Sequence, residues 1–192
     1  MAAAFSDKVP RWVYRSRQFF AALLGRLTEE ETAEARTVLG PGLYQLFAGM
    51  PGQYRHHLFQ VYRRVREAGC DNPHVWQAAL LHDVGKHDPA SGKSVSLPYR
   101  VAIVLLKAAG PGRRILRKLE DPHWDFGFAS NPKSKMGWRY PFYLSRHHAE
   151  LGARLVEEHG GSADVVWLIA AHHKHSVSNE ALTVLRTADE KS

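Results

Sequence analysis

Apolar residues recur along this chain at three- and four-residue steps, and no stretch shows the sustained alternation of a half-buried strand. Over residues 53–67, Tyr54, Leu58, Val61, Tyr62 and Val65 share one helical face. A first helix is predicted at 13–27. Thr28-Glu29-Glu30-Glu31 is a capping box that opens a second helix ending near Leu39-Gly40. Pro41 then stands at the first position of a short helix over 42–48. Gly49-Met50-Pro51-Gly52 is a cluster of breakers, and the main domain is placed after it. Asn72-Pro73 supplies an N-cap and a first-turn proline for a helix that stops at Gly85. Further helices are predicted at 97–109, 113–119, 141–159, 162–173 and 178–190, with a loop at 121–140. The pattern therefore predicts an all-α fold: an N-terminal helical extension over 1–50, and a domain with at least five core helices over 51–192.

Composition narrows the class. The chain has 192 residues and is 44% hydrophobic, enough to build a core and too apolar for a disordered segment. Lone Cys70 excludes an internal disulfide framework and any zinc site built on several thiolates. No apolar run approaches the roughly 20 residues that span a bilayer, and the N-terminus has no long apolar stretch of the secretory type. A cytoplasmic location is expected. Lys and Arg number 26 against 19 for Asp and Glu, a formal charge of +7, which favours an anionic partner. There are 12 histidines. Histidine is both a metal ligand and a proton carrier near neutral pH, so their placement matters.

The most informative segment is Leu80-Leu81-His82-Asp83-Val84-Gly85-Lys86. A His-Asp pair closes an apolar helix, where exposed carbonyls and the negative dipole end favour a cation. Asp83 offers two oxygens and can bridge two ions. Lys86 lies three residues on, within reach of a phosphate held there. His57 lies upstream on an amphipathic helix. His147-His148 is placed at a helix start, and His172-His173 follows the apolar run 165–171. Asp189 falls on the last helix. Imidazoles and carboxylates on five helices are how a bundle builds an internal metal site.

The order His57, His82-Asp83, His148, His172, Asp189 resembles the HD-domain superfamily of metal-dependent phosphohydrolases. The segments around His82-Asp83, His148-Ala149-Glu150-Leu151-Gly152 and Ile169-Ala170-Ala171-His172-His173 are similar to its signatures. The resemblance spans roughly residues 50–190. It implies a first ion held by His57, His82, Asp83 and Asp189, and a second held by Asp83, His148 and His172. Motif register alone separates His57 from His56 and His148 from His147. The Gly-Tyr-Pro motif of the branch that cleaves cyclic dinucleotides is absent, which disfavours that substrate.

A nitrogen- and oxygen-donor set without thiolates suits one or two divalent ions: Mn, Fe, Co, Ni, Zn or, less well, Mg. The expected function is hydrolysis of a small soluble phosphate ester, with a nucleotide among the candidates. Asp83 and Lys86 are candidate catalytic residues, and His173 is the candidate proton donor to the leaving oxygen. Lys86, Arg146, Lys174 and Arg100 are candidates for screening phosphate charge. The loop at 121–140 mixes His123, Trp124, Phe126, Phe128, Trp138 and Tyr140 with Lys133, Lys135 and Arg139, a composition suited to a substrate wall. Residues 11–17 are similarly basic and aromatic. Two other classes compete. The ligand order also resembles HD-fold di-iron oxygenases, which would consume dioxygen. A non-catalytic metal-bound sensor or nucleic-acid-binding module is compatible with the charge but not favoured. The sequence leaves the oligomeric state open.

Overall fold

The computed structural model describes residues 25–108, 111–120, 137–174 and 176–192. Most of the predicted helix at 13–27, the basic segment 11–17 and most of the loop at 121–140 lie outside the described residues.

Eight α-helices form the described part of an all-α protein. They are α1 (Glu29–Gly49), α2 (Gly52–Glu67), α3 (Pro73–Leu81), α4 (Leu97–Ala108), α5 (Gly112–Glu120), α6 (Tyr140–Glu158), α7 (Ala163–Ala171) and α8 (Glu180–Glu190). Polar side chains start four of them. At α1, Thr28 Oγ1 accepts from Glu31 N, and Glu31 Oε2 accepts from Thr28 N at 2.9 Å, a complete capping box. Asn72, Ser162 and Asn179 cap α3, α7 and α8 through their side-chain oxygens. The two helices predicted at 28–40 and 42–48 run on as one element broken at Gly40, whose φ of 67° needs a glycine.

Two departures bear on the site. The helix predicted to stop at Gly85 ends at Leu81, and a 3₁₀ turn over Val84–Lys86 follows His82 and Asp83. Beyond it lies a two-stranded antiparallel ribbon, β1 (His87–Asp88) with β2 (Lys93–Ser94). Strands of two residues are too short to leave an alternating pattern.

The side chains of α1, α2, α3, α7 and α8 meet in one core with the C-terminal half of α6, including Phe47, Tyr54, Leu58, Leu80, Val156, Ile169 and Leu182. A smaller core joins Val95, Ile103 of α4 and Leu116 of α5 to Tyr140, Phe142, Tyr143 and Leu144 at the start of α6. Helix α6 thus serves both cores, and His148 lies on the stretch between them.

Candidate metal centre

Three histidines are held by one device. His82 and His172 are the C-terminal caps of α3 and α7. The sequence reading puts His148 at a helix start. It stands instead in the middle of α6, because the helix begins at Tyr140 with Pro141 in its first turn. In each case Nδ1 donates to the carbonyl three residues earlier: His82 to Ala79 O at 3.1 Å, His148 to Ser145 O at 2.8 Å, His172 to Ile169 O at 2.6 Å. A carbonyl only accepts, so Nδ1 carries the proton and Nε2 of the neutral ring keeps its lone pair for a ligand.

The turn carrying Asp83 is pressed onto α6. A Cβ on Gly85 would collide with the His148 carbonyl and lie 2.6 Å from Gly152 N, and one on Gly152 would lie 3.2 Å from Gly85 N. Gly85 therefore serves close backbone approach rather than a left-handed helix stop. The approach brings Asp83 Oδ1 within 3.4 Å of His148 Nε2 and 3.8 Å of His82 Nε2. The other oxygen, Oδ2, accepts from Lys86 Nζ at 2.6 Å.

Two groups of three donors gather around this carboxylate. Asp189 Oδ1 lies 3.2 Å from His57 Nε2 and 3.4 Å from His82 Nε2. His148, His172 and His173 form the second group, and His173 Nε2 is 3.0 Å from His148 Nε2. Either group has the donor spacing to hold a metal ion. His82 and His172, one from each, have ring centroids 5.3 Å apart. His82 Nε2, Asp83 Oδ1 and His172 Nε2 are buried and make no hydrogen bond. Buried polar atoms without partners are costly, and such atoms in and between the two donor groups fit cations held there.

The electrostatics agree. Burial alone would raise the Asp83 pKa, but Lys86, His82, His148 and His57 hold it well below the usual carboxylate range. Asp189 is likewise buried enough to raise it, yet the His57 and His82 imidazoles beside it bring it far below. Burial opposes charge on His82, but Asp83 and Asp189 outweigh it and raise its pKa. Burial pushes His148 well down, and takes His172 to about 3 with help from His82 and His173. His173 keeps an exposed edge, but desolvation of its inner side lowers its pKa. Three of the five imidazoles are thus neutral at pH 7, the form that binds metal.

The adjacent pairs are resolved by geometry. His57, not His56, faces Asp189. His147 lies off the cluster, 3.5 Å from Glu150 and against the Tyr143 ring at 4.5 Å. The remaining cations divide. Lys86 is in the centre. Arg100 lies over the Tyr54 ring, 4.0 Å from its centroid, and donates to Tyr54 Oη at 3.3 Å. Arg146 is exposed on α6, where its charge acts on buried Glu120. Lys174 is exposed beside His173.

Sequence reasoning missed Arg186. Its guanidinium donates to the carbonyls of Ala171, His172, Lys174 and Val177 at 2.7–3.1 Å, gathering the free end of α7 and the turn after it. An arginine beside Leu185 on the inner side of a predicted helix was the available signal. The fold and centre define an all-α protein with a buried histidine–aspartate cluster suited to a metal. Comparison of the chain with protein-family models, curated proteins and solved structures gives no significant match.

Proposed function

We propose that the chain is a metal-dependent phosphohydrolase of the HD-domain type, acting on a small phosphate ester. The observation that carries this is the position of Asp83. Its orphaned Oδ1 lies between His82 and His148, one from each donor group, and its Oδ2 holds Lys86. One or two divalent ions held by His57, His82, Asp83, Asp189, His148 and His172 would polarise a phosphoryl oxygen and acidify an attacking water.

The chain's own residues do the rest. Lys86 is partly exposed and anchored to the carboxylate, so its charge faces whatever anion enters beside Asp83. His148 commits Nδ1 to Ser145 O, so without an ion its Nε2 accepts from His173 Nε2, and a bound ion would take that lone pair instead. His173, neutral because its pKa is lowered, stands in the same donor group as His148 and His172, which fits a ligand or a proton acceptor at the partly open edge of the centre.

The test is elemental analysis of protein purified without a metal-binding tag, followed by phosphate release from a panel of phosphate esters. Bound transition metal and metal-dependent release are expected. No release by metal-loaded protein from any ester would overturn the reading.

A further inference from the structure

The hairpin of α4 and α5 stands apart from the centre and is unusual for a soluble surface. α4 is apolar on both sides. Its inner face packs Ile103, with Tyr99, Ala102 and Leu106, into the smaller core. Its outer face presents Val101, Val104 and Leu105, and the last two are 64% exposed. The spacing is i, i+3, i+4, a single stripe. Ile115 on α5 is 51% exposed. Of the six large apolar residues most exposed among the described residues, four belong to this hairpin. A helix that is apolar all round is ordinarily buried on every side, so among the described residues the outer stripe lacks the cover its composition calls for.

Its exposed charges are one-signed, since its one acidic residue, Glu120, is buried. Residues 97–119 contain Arg100, Lys107, Arg113, Arg114, Arg117 and Lys118 and no Asp or Glu. All but Arg100 are exposed. With 12 residues, α4 is about 18 Å long by the helical rise, well short of a bilayer core of about 30 Å. Exposed aliphatic side chains beside a dense cationic patch are the chemistry of a helix lying flat in an anionic lipid surface.

We propose that the α4–α5 hairpin docks the protein onto anionic membrane surfaces, with Val101, Val104, Leu105 and Ile115 entering the headgroup boundary and the five exposed cations pairing with lipid phosphates. Two other occupants fit less well. Nucleic acid would use the cations but leave the aliphatic stripe in water. A second copy packed on this face would bring the same cations together across a two-fold axis.

The test is co-sedimentation of the full chain with vesicles of phosphatidylcholine alone and of equimolar phosphatidylcholine and phosphatidylglycerol. Binding to the anionic vesicles is expected to exceed that to neutral ones by about tenfold or more, and to fall as salt rises. The double substitution Val104→Asp with Leu105→Asp should abolish it and leave the circular dichroism spectrum unchanged, since both side chains face solvent. Arg113→Gln with Arg117→Gln, which spares the apolar stripe, should weaken binding and flatten its salt dependence. The proposal is overturned if neither vesicle sediments the protein, if both do so equally, or if the aspartate pair leaves binding intact. It is also overturned if the wild type binds duplex DNA but no vesicle, or if the aspartate pair only converts a dimer to a monomer.

Discussion

Asp83 is the residue on which the two donor groups converge. Asp83→Asn keeps the side chain's size and removes its charge, and a neutral amide is a poor partner for two cations. Phosphatase activity should fall at least about a hundredfold, roughly 2.7 kcal/mol on the barrier. Metal content measured on the same protein should fall with it. Lys86 loses its partner but reaches water, so the helical spectrum should persist. Full activity in this variant would refute the reading. His173 has two readings, ligand and proton donor, that part experimentally. If it donates a proton, His173→Gln should keep its metal and lose turnover on alkyl phosphates, yet regain it on p-nitrophenyl phosphate, whose leaving group needs no proton. If it is a ligand, metal content drops and both substrates suffer alike. The ligand outcome is expected, because His173 stands in one donor group with His148 and His172 and its lowered pKa leaves it neutral at pH 7.

At the scale of elements, two contacts decide whether the donors meet. Gly85→Ala drives a methyl group into the His148 carbonyl. The 3₁₀ turn must then lift off α6 and carry Asp83 away from His148. Overpacking of this kind costs about 1–3 kcal/mol, readable in thermal unfolding, and metal content should drop in parallel. Arg186→Leu removes the hydrogen bonds that gather the carbonyls after α7. Bonds to a charged group are worth roughly 1.5–3 kcal/mol each, and a loss of at least about 2 kcal/mol is expected in denaturant unfolding. Unchanged stability would mean that water replaces the guanidinium without cost. The Gly85 contact was not legible in the chain, and Arg186 showed only as an arginine on the inner side of a predicted helix. Helical periodicity and caps gave the starts of α1, α3, α7 and α8 closely, because a cap is a local interaction written in adjacent residues. The Gly85–Gly152 approach joins residues far apart in sequence, and a glycine reads the same whether it ends a helix or admits a neighbour. His148 was read at a helix start, although the helix predicted at 141–159 already placed it in the interior, as the structure does. Pro141 in the first turn marks the start of α6 without a capping side chain.

The whole molecule has a pH response whose sign follows from the centre. His148, His172 and His173 have lowered pKa values in the fold, while an unfolded chain protonates them near about 6.5. Below that pH the unfolded state binds more protons, so these groups destabilise the metal-free protein as the pH falls from 7 toward 5. His82 acts the other way: its raised pKa adds stability below about 6.5 that is lost as pH rises through its folded value. Asp83 and Asp189 are lowered, and their contribution, full above the unfolded carboxylate pKa of about 4, is lost progressively as pH falls below it. Three groups outweigh one, so the melting temperature of the metal-free protein should decline between pH 7 and 5. A flat or rising profile would contradict the neutral assignment. Most residues of the cluster were visible in the sequence as His and Asp beside apolar helix ends. Their meeting was not visible in the same way, since His57 and Asp189 are brought together only when α2 and α8 pack.

Arg186 and Asp189 lie three residues apart on α8. One anchors the turn carrying His172 and His173, and the other completes the group around His57 and His82. A single local opening of α8 would therefore dismantle both donor groups in one event. An ion held there would be kinetically trapped, its exchange paced by that opening rather than by diffusion from a cleft. Its lifetime would shorten steeply on warming, as unfolding rates do.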